Sequence, residues 1–131
     1  MIERTNPAGL HTPPGYHHVT TSEPGRFVFL AGQCPIDGSG ALVGSDDLVA
    51  QVAQVVKNIQ VCFDSVGASA DDVVRTVIYV ASPETADLAL VWAALQASPI
   101  GRAFSSASTL LGVAQLGYPG QLVEVDVTAV V

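Results

Sequence analysis

Four kinds of side chain in this sequence could do chemistry, and their spacing decides how far each can be taken. Glu124 sits in Leu122-Val-Glu-Val-Asp126, where a carboxylate could orient water or take up a proton. Its alternation with Val123 and Val125 puts it on the other side of a pleated strand from them. Pattern alone leaves a cleft carboxylate, an exposed one and half of an ion pair equally open. His17-His18 invites a metal reading, but neighbours on a strand point to opposite faces and cannot chelate together. Adding His11 still supplies no cysteine or carboxylate at ligand spacing, so no metal is expected. Cys34 ends a strand where a nucleophile could stand, yet no base or cation is near it in sequence; it reads as a small buried hydrophobe. Ser108 and Thr109 lie in a β-rich Ser-Ser-Ala-Ser-Thr run without a Gly-x-Ser-x-Gly elbow, so strand hydroxyls are the plain reading. Gly38-Ser-Gly40 lacks the third glycine and following helix of a dinucleotide fingerprint, and no cofactor is expected.

The elements that must position these residues follow from the pattern. Asn6 to Gly15, with three prolines and two glycines, is loop. His17–Thr21 and Arg26–Ala31 read as strands joined into a hairpin by the turn Ser22-Glu-Pro-Gly25. A helix begins after a cap at Ser45 or Asp46 and stops at Gly67. Leu48, Val52, Val55, Val56, Ile59, Phe63 and Val66 form its apolar stripe, with Cys62 read as core, and Gln51, Gln54, Lys57 and Asp64 lie opposite. Val73–Val80 is a largely buried strand. A second helix starts at Ser82-Pro83-Glu84 and ends near Ala97, with Trp92 packing on the sheet. Strands Ala107–Leu116 and Leu122–Val130 close the chain.

The predicted fold class is α+β: an antiparallel or mixed sheet with two helices packed on one face. No linker or repeat divides the chain, so residues 1–131 are read as one domain. No third helix is available for the other sheet face. Nearly half the residues are apolar (49%) and only 13% charged, against roughly 25% charged in an average domain. Surplus apolar surface on a chain of 131 residues favours an oligomer. Five Lys and Arg against twelve acidic residues give a net charge of −7, which argues against nucleic acid as a partner. The start, Met1-Ile2-Glu3-Arg4, has no basic segment followed by an apolar run, and no stretch is long enough to span a bilayer. A cytoplasmic protein with reduced thiols and no membrane partner is expected.

Taken together, these segments resemble a known family. Ala31-Gly-Gln-Cys-Pro-Ile-Asp37, Gly40-Ala-Leu-Val43, Gln51, Gln54-Val-Val-Lys-Asn58 and Gly67-Ala-Ser-Ala-Asp-Asp-Val-Val-Arg-Thr-Val-Ile-Tyr-Val80 are similar to the Rid (YjgF-like) family of the endoribonuclease L-PSP superfamily. So are Thr109-Leu-Leu-Gly-Val-Ala-Gln-Leu116 and Val123-Glu-Val-Asp126. The resemblance implies a chorismate-mutase-like homotrimer with a small-molecule ligand site in each of three intersubunit clefts. Its best-known members hydrolyse enamines and imines such as 2-aminoacrylate to a 2-oxo acid and ammonia. There an arginine pairs with the substrate carboxylate and a glutamate positions the attacking water. Glu124 matches that glutamate, Tyr16 the cleft tyrosine, and Ala31, Gly32 and Gln33 the cleft floor.

The arginine is not matched: Ser108 stands in its place, next to Thr109, which defines a subgroup without the deaminase arginine. The family's asparagine on the second helix falls near Leu90 and Val91. A buried carboxylate without a cation is costly, so the resemblance does not by itself carry deaminase activity to this chain. Arg102, six residues earlier, is the sequence's nearest substitute. The reading is a homotrimer that binds or acts on a small imine-, enamine- or 2-oxo-acid-like metabolite through Tyr16, Ala31, Gly32, Gln33, Arg102, Ser108, Thr109 and Glu124. A metabolite-sensing or scaffold trimer is the alternative, and a ribonuclease or translation inhibitor the third.

Overall fold

The computed structural model describes all 131 residues. Six strands and two helices follow in the order β1 (Ile2–Thr5), β2 (Val19–Ser22), β3 (Phe27–Phe29), α1 (Leu48–Val66), β4 (Val73–Val80), α2 (Thr85–Gln96), β5 (Ala107–Gly112) and β6 (Val123–Val130), with short 3₁₀ turns before β4 and β5. The main sheet has the order β3-β6-β4-β5, in which only β4 and β5 run parallel. It is therefore mixed, as expected. β1 and β2 form a separate antiparallel pair.

The helical stripe explains how the layers meet. Val52, Val55, Val56, Ile59 and Phe63 of α1 are buried against Val125, Val127 and Ile78 of the sheet, Val91 and Leu95 of α2 and Phe104 of the turn before β5, in one contiguous core. Asp47 caps α1, its carboxylate accepting from the Ala50 amide at 3.0 Å, and Gly67 closes it at φ 70°. The expected cap at Ser45 or Asp46 is displaced by one residue because Asp46 is used for a left-handed turn, φ 57°. The second helix starts at Thr85 rather than Pro83. Ser82 still serves it, accepting from the Glu84 amide and donating to Asp87 at 2.6 Å.

Four further expectations are corrected. The hairpin between the second and third strands does not form: β2 pairs with β1, and β3 pairs with β6. Val28 is the inward residue of β3 and needs Ala129 beside it, whereas β2 is mostly exposed and has no apolar face to add to that sheet. β5 ends at Gly112 rather than Leu116 because β4, its neighbour, ends at Val80; the last rung is Val113 N–H to the Val80 carbonyl. Gln51, placed on the polar side of α1 by its periodicity, is wholly buried. Its amide donates to the carbonyls of Gly44 and Gly120 and accepts from the Leu122 amide, fastening the helix to the start of β6. Cys62, expected in the core, is only half-buried.

Arg4 anchors the β1–β2 pair. Its guanidinium donates to the carbonyls of Arg102, Ala70 and Val73 and to the Ser105 hydroxyl at 2.7 to 3.2 Å. The opposite face of the main sheet carries no helix. Glu124, Asp126 and Thr128 of β6 lie there beside Tyr79, Val77 and Arg75 of β4. Phe27 and Phe29 stack on each other at its edge, 62% and 75% exposed.

Candidate functional site

Most residues singled out from sequence gather into two clusters, one at the free edge of the sheet and the other around Glu124 on its uncovered face. The first is a groove of about 320 Å³ along the free edge of β5, lined by Pro14, Tyr16, Trp92, Ser108, Thr109 and Leu110. The proline-rich loop is held against α2 by the Trp92 indole N–H, which donates to the Pro14 carbonyl at 2.9 Å. Gly15 is required there: its φ is 105°, and a Cβ would run into the Gln96 amide. Tyr16 meets Trp92 edge to face at 6.2 Å, and Trp92 meets Phe104 the same way. The groove wall is thus aromatic and braced by the core.

Each histidine is engaged by this wall or by backbone. His11 Nε2 is 3.1 Å from the Tyr16 hydroxyl, His18 stands edge-on to both rings, and His17 Nδ1 meets the Ser105 carbonyl at 2.6 Å. No three His, Cys, Asp or Glu side chains gather where they could hold a metal ion. Ser108 is spoken for as well. Its hydroxyl accepts from Thr76 at 2.6 Å and donates towards the carbonyls of Ser106 and Phe104. Thr109 Oγ1 accepts from Arg75 Nη2 at 3.2 Å.

The second cluster surrounds Glu124 on the uncovered face. Glu124 Oε1 accepts from the Cys34 thiol at 3.1 Å and from the Gln121 amide at 3.2 Å, while Oε2 takes no hydrogen bond within the chain. Gly32 makes this possible, because a Cβ there would come within 2.5 Å of Oε2 and 2.9 Å of an Asp126 oxygen. Gln33 exchanges both backbone bonds with Val125, and its side chain donates to the Ala31 carbonyl. Asn58 holds the same loop by donating to the carbonyls of Cys34 and Ile36.

Burial, and then the hydrogen bond to Glu124 and its charge, push the Cys34 thiol up to about 11. The thiol is a protonated donor at neutral pH, which argues against a nucleophile. It is half-buried rather than the small buried hydrophobe expected from sequence. Burial and the Asp126 hydrogen bond likewise raise the Tyr79 phenol. In a Cys62→Ser background, Cys34 is expected to alkylate slowly at pH 8 and several-fold faster once Glu124→Gln removes the carboxylate. Equal rates in the two proteins would mean the thiol does not donate to Glu124.

The structure brings Tyr16, Ser108 and Thr109 together, and Ala31, Gly32, Gln33 and Glu124 together, but does not join the two sets within one chain. Glu124 pairs across the ladder with Tyr79 on the uncovered face, whereas Ser108 pairs with the buried Thr76 on the helix side. Arg102 joins neither set. It lies in the 3₁₀ turn before β5, with Nε bonded to Asp71 at 2.9 Å and its side chain 73% exposed. Asp126, Tyr79, Gln121 and Arg75 were not singled out from the sequence. Asp126 was findable, since it is two residues from Glu124 on a strand; the others depend on pairing register.

A two-layer mixed sheet with both helices on one face and a glutamate on the other defines an α+β architecture that other proteins share. Residues 10–131 match the family model described as endoribonuclease L-PSP. A Rid family protein of unknown function from Yersinia pestis, YyfB, is 32% identical, with 99% of this chain and 98% of that one covered and a TM-score of 0.86. A second Yersinia pestis Rid protein, YyfA, is 26% identical with full coverage of both chains and a TM-score of 0.69. A RutC family protein of Pyrococcus abyssi is 38% identical over 55 residues, a match spanning 42% of this chain and 43% of that protein. The chain belongs to the Rid (YjgF-like, endoribonuclease L-PSP) family. No helix is long and apolar enough to cross a membrane.

Proposed function

We propose that this protein works as a homotrimer that binds small imine- or enamine-like metabolites in clefts between subunits and hydrolyses them. Glu124 of one copy would face the Tyr16–Ser108–Thr109 groove of a neighbour. The observation that carries this is the half-committed carboxylate of Glu124, with Oε1 fixed by Cys34 and Gln121 and Oε2 unused. A carboxylate oriented on one oxygen is suited to hold a water with the other. The uncovered sheet face, with Phe27 and Phe29 exposed, supports assembly, because apolar surface of this kind is normally buried by a partner subunit. Water held at Oε2 would add to the C=N carbon, and collapse of the resulting carbinolamine would release ammonia and leave a carbonyl.

A binding role without chemistry is the second reading. It is favoured by one observation: no Lys or Arg lines the groove beside Ser108. The two separate on ammonia release from freshly generated 2-aminoacrylate, measured with the mass of the assembly in solution. Turnover above the spontaneous rate by a trimer supports the hydrolase. A trimer that leaves that rate unchanged supports a binding protein, and a monomer removes the intersubunit site altogether.

A further inference from the structure

We infer that Arg75 on β4 supplies the cation that position 108 lacks, so that the groove takes a small monocarboxylate with an apolar tail. This rests on the groove being the ligand site. The five basic residues can be taken in turn. Arg4 is committed to backbone carbonyls, Arg26 donates to the Val66 carbonyl, Lys57 projects from the exposed side of α1, and Arg102 is paired with Asp71. Only Arg75 remains beside the groove. It is exposed, and it has no carboxylate within ion-pair distance, since the chain's two ion pairs are Met1–Glu23 and Arg102–Asp71.

The sheet aims it. In the parallel ladder Arg75 lies opposite Ala107, and Ala's methyl leaves room for the guanidinium to lean along β5. There Nη2 donates to Thr109 Oγ1 at 3.2 Å, and Thr109 lines the groove. That single bond fixes one edge of the guanidinium and leaves its other donors free for a carboxylate. Arg75 also shares the uncovered face with Glu124, whereas a side chain at position 108 points to the helix side. The cation has moved across the strand, and the Tyr16, Trp92 and Leu110 wall is left for the ligand's apolar part.

The experiment is a calorimetric titration of the intact protein with 4-methyl-2-oxopentanoate and with its uncharged amide. The wild type is expected to bind the acid at least tenfold tighter than the amide. Arg75→Gln should weaken the acid by about tenfold to a hundredfold and leave the amide unchanged, the size of a charge-assisted hydrogen bond. Arg75→Lys should recover part of that loss. Thr109→Val, which removes the orienting oxygen, should weaken the acid by a smaller factor of the same sign.

Equal wild-type affinity for acid and amide would overturn the assignment. So would an acid affinity that follows Arg102→Gln instead, or an Arg75→Gln protein whose assembly mass changes, which would make Arg75 an interface residue. Ammonia release with acid binding indifferent to Arg75 sinks this inference alone. Arg75-dependent acid binding without ammonia release supports it and removes only the hydrolase.

Discussion

Ammonia release from 2-aminoacrylate is expected to fall by about 10²- to 10⁴-fold in the Glu124→Gln protein, the usual range for losing a positioned general base. The amide is isosteric with the carboxylate and can still accept from Gln121, so the loop carrying Gly32 and Cys34 keeps its place. What disappears is the negative oxygen at Oε2 and its ability to take a proton from the attacking water. Ligand affinity should therefore change little while turnover collapses, a kcat effect with KM nearly constant. A variant that retains more than about a tenth of wild-type turnover would move the water to another group. Asp126, on the same face and two residues on, would then be the first to replace.

Gln51→Leu is expected to lower the unfolding free energy by about 2 to 4 kcal/mol, because three backbone groups bonded to this wholly buried side chain lose their partner at about 1 kcal/mol or more each, water reaching the least covered of them. The carbonyls of Gly44 and Gly120 and the amide of Leu122 all converge on this one side chain, at 3.1, 2.9 and 2.7 Å. Leucine fills much of the same volume, so loss of packing does not explain such a drop. The effect should reach the site, since Leu122 begins the segment that carries Glu124 and Gln121. Urea unfolding at fixed protein concentration measures it, and fixed concentration matters wherever subunits associate. A loss below about 1 kcal/mol would mean that water enters and satisfies the three groups.

Gln51 also marks where local pattern stops. Helical periodicity placed α1 correctly because its apolar stripe is a property of neighbouring residues. The same periodicity set Gln51 on the polar side, since its partners lie in loops up to 71 residues away. β4, β6 and the closing Gly67 were legible for the same local reason. The expected β2–β3 hairpin failed because a turn signal reports that a chain reverses, not which strand it then joins. β3 pairs with β6, about a hundred residues on.

The site divides along the same line. Alternation in Val123-Glu-Val-Asp126 was enough to set Glu124 apart from the core, and the Pro-Gly run before Tyr16 marked a loop able to bring that ring to an edge. The family was readable because its signature is spread in order along the whole chain. The substitute cation was not: proximity in sequence pointed to Arg102, yet Asp71 holds it elsewhere, while Arg75 reaches Thr109 from 34 residues away. Residue type and spacing determined which groups could do chemistry and which side of a strand each would take. Which faces meet, and which cation stands beside which hydroxyl, was decided only by tertiary structure, because strand register couples residues whose separation in the chain carries no local signal.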